Sequence, residues 1–245
     1  DPVQLAPGFV AAIPTSYTLG YNEHVQLFGL SLDKEVGGYS LGAEVSYRKN
    51  TALNGTNIVF ASDETKGPRG DTLNVVLNSV KALERTSLYD TGTALFELGY
   101  VHKIDVNDHE ELYKGVGTAA CGTGDRHTGC STDDATVIAG LFEPQWLQVF
   151  PGVDISTPMF AMYGLDGNGA SIGVPVNQND VNYSAGIKGI MYQRYNLTLQ
   201  YNGYYGRSFG TATSPIDGST YTAAGNNMYA MKDRNWWSLT FNTTF

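Results

Sequence analysis

Long apolar runs are missing from this chain. No stretch of its 245 residues approaches the ~18 consecutive apolar residues that a membrane-crossing helix needs, which excludes a helical membrane protein. Charge is scarce as well, at 16% of residues against ~25% in ordinary soluble domains. The net charge of −9 argues against nucleic acid as a partner, because neutralising phosphates requires a basic surface. The residues after Asp1 lack the basic and apolar stretches of a secretion signal. An exported chain loses that signal, so its absence decides nothing.

Cysteine occurs twice, in the Gly-rich polar stretch ACGTGDRHTGCS. In an oxidising compartment such spacing suits a small closed loop, and a Cys121–Cys130 disulfide is expected. A zinc site that added His127 would lack a fourth ligand and the usual finger spacing, so no metal is expected. Nor is there a Gly-x-Ser-x-Gly elbow. A barrel lipase would need a serine, a histidine and an orienting group together on its outer wall. Of His24, His102, His109 and His127, only His102 falls on an outward position, so neither an enzyme nor a cofactor is expected. The segment GNGASIG lies in a loop with no helix after it and does not read as a phosphate cradle.

What is abundant is Gly, at 29, and Tyr, at 16, in a chain that alternates. It ends NWWSLTFNTTF, with Phe245, Thr243, Phe241, Leu239 and Trp237 on one face of a strand and polar residues largely on the other. The same alternation brackets Gly37 and Gly38, a two-residue hairpin signal. Across that turn Phe28, Leu30 and Leu32 share a face with Leu41, Ala43 and Val45, while Ser31, Asp33, Glu44, Ser46 and Arg48 share the other. The second face is too polar for a core. Further strands are expected over 71–80, 93–103, 134–149, 153–164, 181–193 and 197–206, the two in the middle being the least regular because of Pro144 and Pro158.

Alternation alone would also suit a soluble sandwich; the connections discriminate. Short links at Gly37-Gly38, 85–91, Pro151-Gly152 and Gln193-Arg194-Tyr195 alternate with long ones at 51–69, 105–133, 165–180 and 208–233. A transmembrane barrel has short periplasmic turns and long extracellular loops, and only a closed barrel pairs every backbone group in lipid. The expected fold is therefore all-β, an antiparallel transmembrane β-barrel of outer-membrane type. Leu41, Val45, Phe96, Leu98, Ile187, Leu199, Leu239 and Phe241 would face lipid. Glu44, Arg48, Glu97, Asp154 and Lys188 would face the lumen, either lining a path or bracing the wall by pairing. An arginine at polar-face Ser46 should cost far less than one on the lipid face. Strands fill 24–245, nine in number, and 1–23 is an extracellular segment or an additional strand at 8–19. Single-chain bacterial barrels have an even count, so either that strand exists despite Pro14 or the chain is part of a larger barrel.

The blocks YNEHVQLFGLSLDKEVGGYSLGAEVSYRKN, RGDTLNVVLNSV, YDTGTALFELGYVHK, QWLQVFPGVDISTPMFAMYGLDGNG and KDRNWWSLTFNTTF, in that order, resemble the C-terminal half of large Gram-negative outer-membrane proteins catalogued as domain of unknown function 1302. The resemblance covers 17–245 apart from the variable loops, and it implies an outer-membrane location, in which the last strand, as counted from the loops, would run toward a periplasmic C-terminus. Implied partners are outer-membrane lipid and lipopolysaccharide. The barrel-assembly machinery would read the terminal Phe245, Phe241, Leu239 and Trp237. The expected function is a channel or uptake protein for small hydrophobic or amphipathic molecules, the alternative a structural or adhesive surface barrel without transport.

Overall fold

A computed structural model describes residues 3–6, 9–11, 23–55, 67–171, 177–213, 218–225 and 227–243. Its strands are β1 (Val3–Ala6), β2 (Phe9–Ala11), β3 (Gln26–Val36), β4 (Tyr39–Ala52), β5 (Arg69–Leu83), β6 (Thr91–Asp108) and β7 (Asp134–Phe150). They continue with β8 (Val153–Ser156), β9 (Met159–Asp166), β10 (Val181–Met191), β11 (Tyr195–Tyr205), β12 (Ser208–Thr213), β13 (Thr220–Gly225) and β14 (Trp236–Thr243). The described residues hold no α-helix, and no helix long and apolar enough to cross a membrane.

Ten of these strands form one antiparallel sheet that runs β3 to β7, then β8 with β9, then β10, β11 and β14. β8 and β9 are two halves of one span, so the spans standing side by side match those expected from the alternation. Their separation has a backbone cause. The ladder pairs Phe142 with Met159 and Gln145 with Ser156, which sets Pro144 and Pro158 in the same gap. Neither proline has an N–H to donate, so one interruption accommodates both. The gap is bridged from its rims: Thr157 donates its N–H to Pro144 O (3.1 Å) and Gly186 its own to Pro158 O (2.9 Å).

At one end of the sheet the links are short, and at Gly37-Gly38 both residues take positive φ, 59° and 79°, the conformation that a two-residue hairpin turn demands. At the other end they are long. The last long connection is not the plain loop expected over 208–233. It holds the β12–β13 hairpin, whose register runs from Ser208↔Gly225 to Thr213↔Thr220. Near the N-terminus β1 and β2 pair with each other rather than with the large sheet. Of the additional strand expected at 8–19, only Phe9–Ala11 lies within the described residues.

Register decides the faces. One row runs Leu32, Ala43, Leu77, Leu98, Ile138, Tyr163. The row beside it runs Asp33, Gly42, Asn78, Glu97, Ala139, Met162. The apolar face is uncovered: Leu30 is 79% exposed, Leu239 70% and Trp237 66%. The main cluster of buried apolar side chains sits elsewhere, in a cap built by the long connections. Leu53, Tyr113 and Ala170 are its apolar centre, with Val106 against them. This reverses a soluble sandwich, in which the apolar rows would meet face to face.

The cap also reports curvature. Leu53, just after β4, bridges Ser171 in the β9–β10 connection, although β5, β6 and β7 lie between those strands in the sheet. The wall must therefore curl round its polar face for the two to meet. Among the described residues β3 and β14 are not paired with one another, which leaves the sheet with two edges.

Candidate functional site

Beneath the cap the polar face encloses a cavity of about 230 Å³. That is slightly below the ~300 Å³ at which small-molecule pockets usually begin, so it suits a head group or a very small solute. Glu44, Ser46 and Arg48 come to it from β4, Glu97 and Gly99 from β6, and Met162 from β9, with Ser171 of the cap above. Strand pairing explains the space. Glu44, Val76, Gly99 and Val137 lie in one row, and a Cβ on Gly99 would stand 3.0 Å from the Val137 side chain. Gly42 acts likewise one row on, where a Cβ would lie 2.7 Å from Asp33 Oδ1 and 2.5 Å from Asn78 Oδ1.

Three of the expected polar-face residues, Glu44, Arg48 and Glu97, thus converge on one pocket. Among the described residues none of the three has a side-chain hydrogen bond or ion pair. The other two stand apart, near the turn end. Lys188 Nζ lies 3.2 Å from Glu143 Oε1, which also accepts from Ser156 Oγ at 2.7 Å. Asp154 is 8% exposed and accepts the N–H of Gln148 at 2.7 Å. Both brace the wall. Glu143 has the parity of Glu97 and was readable from the alternation, but Pro144 beside it obscured the strand. Ser46 has the expected facing and, at 5% exposed, borders the cavity, so an arginine there would extend into the cavity rather than into open solvent.

The cap is held mainly by polar contacts. Asn54 Nδ2 donates to Gly169 O at 2.7 Å and to Ser131 Oγ at 3.2 Å. Asn168, 1% exposed, donates to Arg126 O (2.6 Å) and Cys130 O (2.8 Å) and accepts the N–H of Gln178 (3.1 Å). Burial, and then the charge of Asp133, push the Tyr113 hydroxyl up, so it stays neutral. Lys103 Nζ lies 5.6 Å from its ring centre and 3.0 Å from Asp133. These loop residues carry no periodic signal and were not anticipated.

Cys121 and Cys130 are bonded to one another, which removes both from any zinc set with His127. Inside the closed loop Asp125 caps a short turn, accepting the N–H groups of His127 and Thr128. Replacing both cysteines with serine should cost roughly 2 to 3 kcal/mol of unfolded-state entropy, and the loss should be local to the cap. Faster proteolysis within 109–133, with an unchanged wall, is the expected result; a non-reduced digest showing two free thiols in the parent would refute the bond.

Asp180, at the loop end of β10, is fully buried, and its carboxylate accepts the N–H of Met228 at 3.0 Å. Burial pushes its carboxyl up to about 6, opposed by the backbone of Met228 and Asn177. The neutral form is favoured in the fold. Its stabilisation is therefore complete below the unfolded value near ~3.9 and is lost as pH rises through about 6. Asp180→Asn keeps an acceptor for Met228. It should stabilise the chain by about 2 kcal/mol at pH ~7.5 and by nothing near pH ~4, read from urea midpoints at both values. An equal effect at the two values would refute the assignment.

On the apolar face His102 Nδ1 lies 2.8 Å from Asp134 Oδ1, which also accepts from the Tyr100 hydroxyl. Among the described residues no serine is bonded to His102. Of the terminal residues expected to carry an assembly signal, Trp237, Leu239 and Phe241 lie on the apolar face of β14, paired with Tyr201, Leu199 and Leu197. Trp237 packs on Tyr201 with ring centres 5.1 Å apart, and Phe241 on Tyr195 at 6.2 Å. Phe245 lies outside the described residues.

No curated protein and no solved structure matches the chain. A family model, described as protein of unknown function (DUF1302), matches residues 3–245. On the strength of that match across nearly its whole length, the chain belongs to the DUF1302 family.

Proposed function

We propose that the chain forms the wall of a bacterial outer-membrane barrel and serves as a channel or uptake protein for small hydrophobic or amphipathic molecules. The observation that carries this reading is the cavity on the polar face, where Glu44, Arg48 and Glu97 meet side chains as apolar as Met162 and Val137. A wall needing only solvation would have no use for that mixture.

Dimensions support the membrane setting. Tyr195 and Tyr205 lie on the apolar face at opposite ends of β11. They are separated by about 33 Å of strand at ~3.3 Å per residue. Tilted by ~40°, that spans about 25 Å, the height of the apolar band between the aromatic girdles of such barrels. Outer-membrane lipid and lipopolysaccharide would cover the exposed Leu and Phe rows, the C-terminus would lie in the periplasm, and the assembly machinery would read the last strand. In lipid the edges of β3 and β14 would require pairing partners to close the wall.

A structural or adhesive barrel is the second reading, favoured by the ordered cap that folds over the cavity. Planar-bilayer conductance separates the two. The channel reading expects discrete steps from the purified chain, and a correctly inserted barrel with neither conductance nor solute flux would refute it.

A further inference from the structure

The cavity is more selective in charge than a channel wall requires. Cations elsewhere on the polar face are engaged: Lys103 lies 3.0 Å from Asp133 and Lys188 lies 3.2 Å from Glu143. Glu44 and Glu97 have no such partner among the described residues, and Asp33 continues the carboxylates into the row of Glu97. Arg48 is the opposing charge, but it stands at the cap side, four residues along β4 from Glu44, or about 13 Å. The deeper end of the cavity is therefore acidic. Ser46, 5% exposed, lines the cavity with a hydroxyl that has no hydrogen-bond partner among the described residues. An ammonium group offers three donors; the two carboxylates, one row apart, can accept them, and the Ser46 hydroxyl is a further acceptor on the Arg48 side of Glu44.

A second observation concerns the row beyond. Leu95, Leu141 and Phe160 stand side by side on the otherwise polar face, with Val80 next to Leu95. Each of the three lies two residues along its strand from Glu97, Ala139 or Met162, which flank or line the cavity, a step of about 7 Å. All four are half-buried, less exposed than the outer apolar rows, and form a continuous apolar stripe across neighbouring strands. It leads from the acidic end of the cavity toward the turns, away from Arg48.

Resting on the reading of the polar face as a lumen, we infer that the site takes a single-chain cationic amphiphile, with its ammonium between Glu44 and Glu97 and its tail along Leu95, Leu141 and Phe160. Charge complementarity selects the head, and the stripe selects the tail. An anionic amphiphile would instead place its head at Arg48 and its tail against the cap.

The test uses the full chain in phosphatidylcholine nanodiscs, titrated calorimetrically with octylammonium, octanoate and octanol, and with empty nanodiscs subtracted. Octylammonium should bind at least tenfold more tightly than octanoate. Glu44→Gln with Glu97→Gln should erase that preference, and Leu141→Ser should weaken octylammonium several-fold. Tighter binding of octanoate to the parent chain, or an ammonium preference that survives the double Gln variant, would overturn the assignment; the first comparison needs no variant and so does not depend on one folding. Bilayer conductance of the parent tests the lumen reading separately. Conductance without ammonium preference refutes the ligand alone, whereas ammonium binding without conductance refutes the channel and leaves the site.

Discussion

Val45→Arg is expected to cost about 2 to 4 kcal/mol of stability in lipid vesicles if the residue sits near mid-bilayer, while Glu44→Arg, its neighbour, costs a small fraction of that. The two positions share a strand, a depth and a backbone environment, and differ only in the face they occupy. Val45 lies in the row of Leu30 and Val75, and Glu44 in the row of Ser31 and Val76. An arginine at Val45 must either snorkel past Tyr47 or drag water into hydrocarbon. At Glu44 it replaces one charged side chain with another at an exposed position on the polar face. Reversible urea unfolding from phosphatidylcholine vesicles measures both. Comparable losses would mean that the two faces see the same medium, and the membrane reading would fall with them.

Asn168→Ala is expected to have the largest effect among the loops, about 2 to 4 kcal/mol confined to the cap. One side chain serves three backbone groups, the carbonyls of Arg126 and Cys130 and the N–H of Gln178. At 1% exposed, the alanine variant cannot recruit water to replace it without opening the site. The Arg126 carbonyl keeps the N–H of Gly129 at 3.3 Å, but Cys130 O and the Gln178 N–H lose their partner, and each buried group left unsatisfied costs ~1 to 3 kcal/mol. Asn168→Asp sharpens the test, because a carboxylate keeps the acceptor for Gln178 and loses both donors. It should be nearly as damaging as alanine. Hydrogen exchange at Cys130, Thr132 and Gln178 reads the opening directly, and protection unchanged in both variants would show that the cap is held by something else.

How much of this was visible beforehand follows from the range of each signal. The period of two in YSLGAEVSY placed Leu41 and Val45 on one face and Glu44 and Ser46 on the other, as the ladder does. That signal is local, and each strand carries it several times over. The convergence of Glu44, Arg48 and Glu97 on one cavity also depends on the register between β4, β5 and β6, which the faces narrow to even shifts and the Gly37-Gly38 turn sets for the first hairpin. The cap was not legible. Asn54 and Gly169, which it joins, are 115 residues apart, and nothing in a polar loop marks which distant carbonyl an asparagine will find. The β12–β13 hairpin escaped for a related reason: its strands are short and rich in Thr, Gly and Ala, so alternation gives little contrast.

The paired proline gap has a further consequence, for which alignments are forbidden. Pro144 and Pro158 are tolerated because they fall together where the β7 ladder passes from β9 to β8. If β9 slid along β7 by two residues, the shift that preserves both faces, Pro158 would be carried away from Pro144 and the chain would acquire two separate interruptions in place of one. Pro144 would then leave a carbonyl of β9, and Pro158, whose own carbonyl points to Gly186, a carbonyl of β10, facing a ring nitrogen that cannot donate, a deficit of ~1 to 3 kcal/mol each where no water reaches the gap. Sheets whose faces are marked only by alternation tolerate even slips comparatively well. Here two residues that weaken the strands individually act jointly as a key, admitting a single alignment of the middle of the wall.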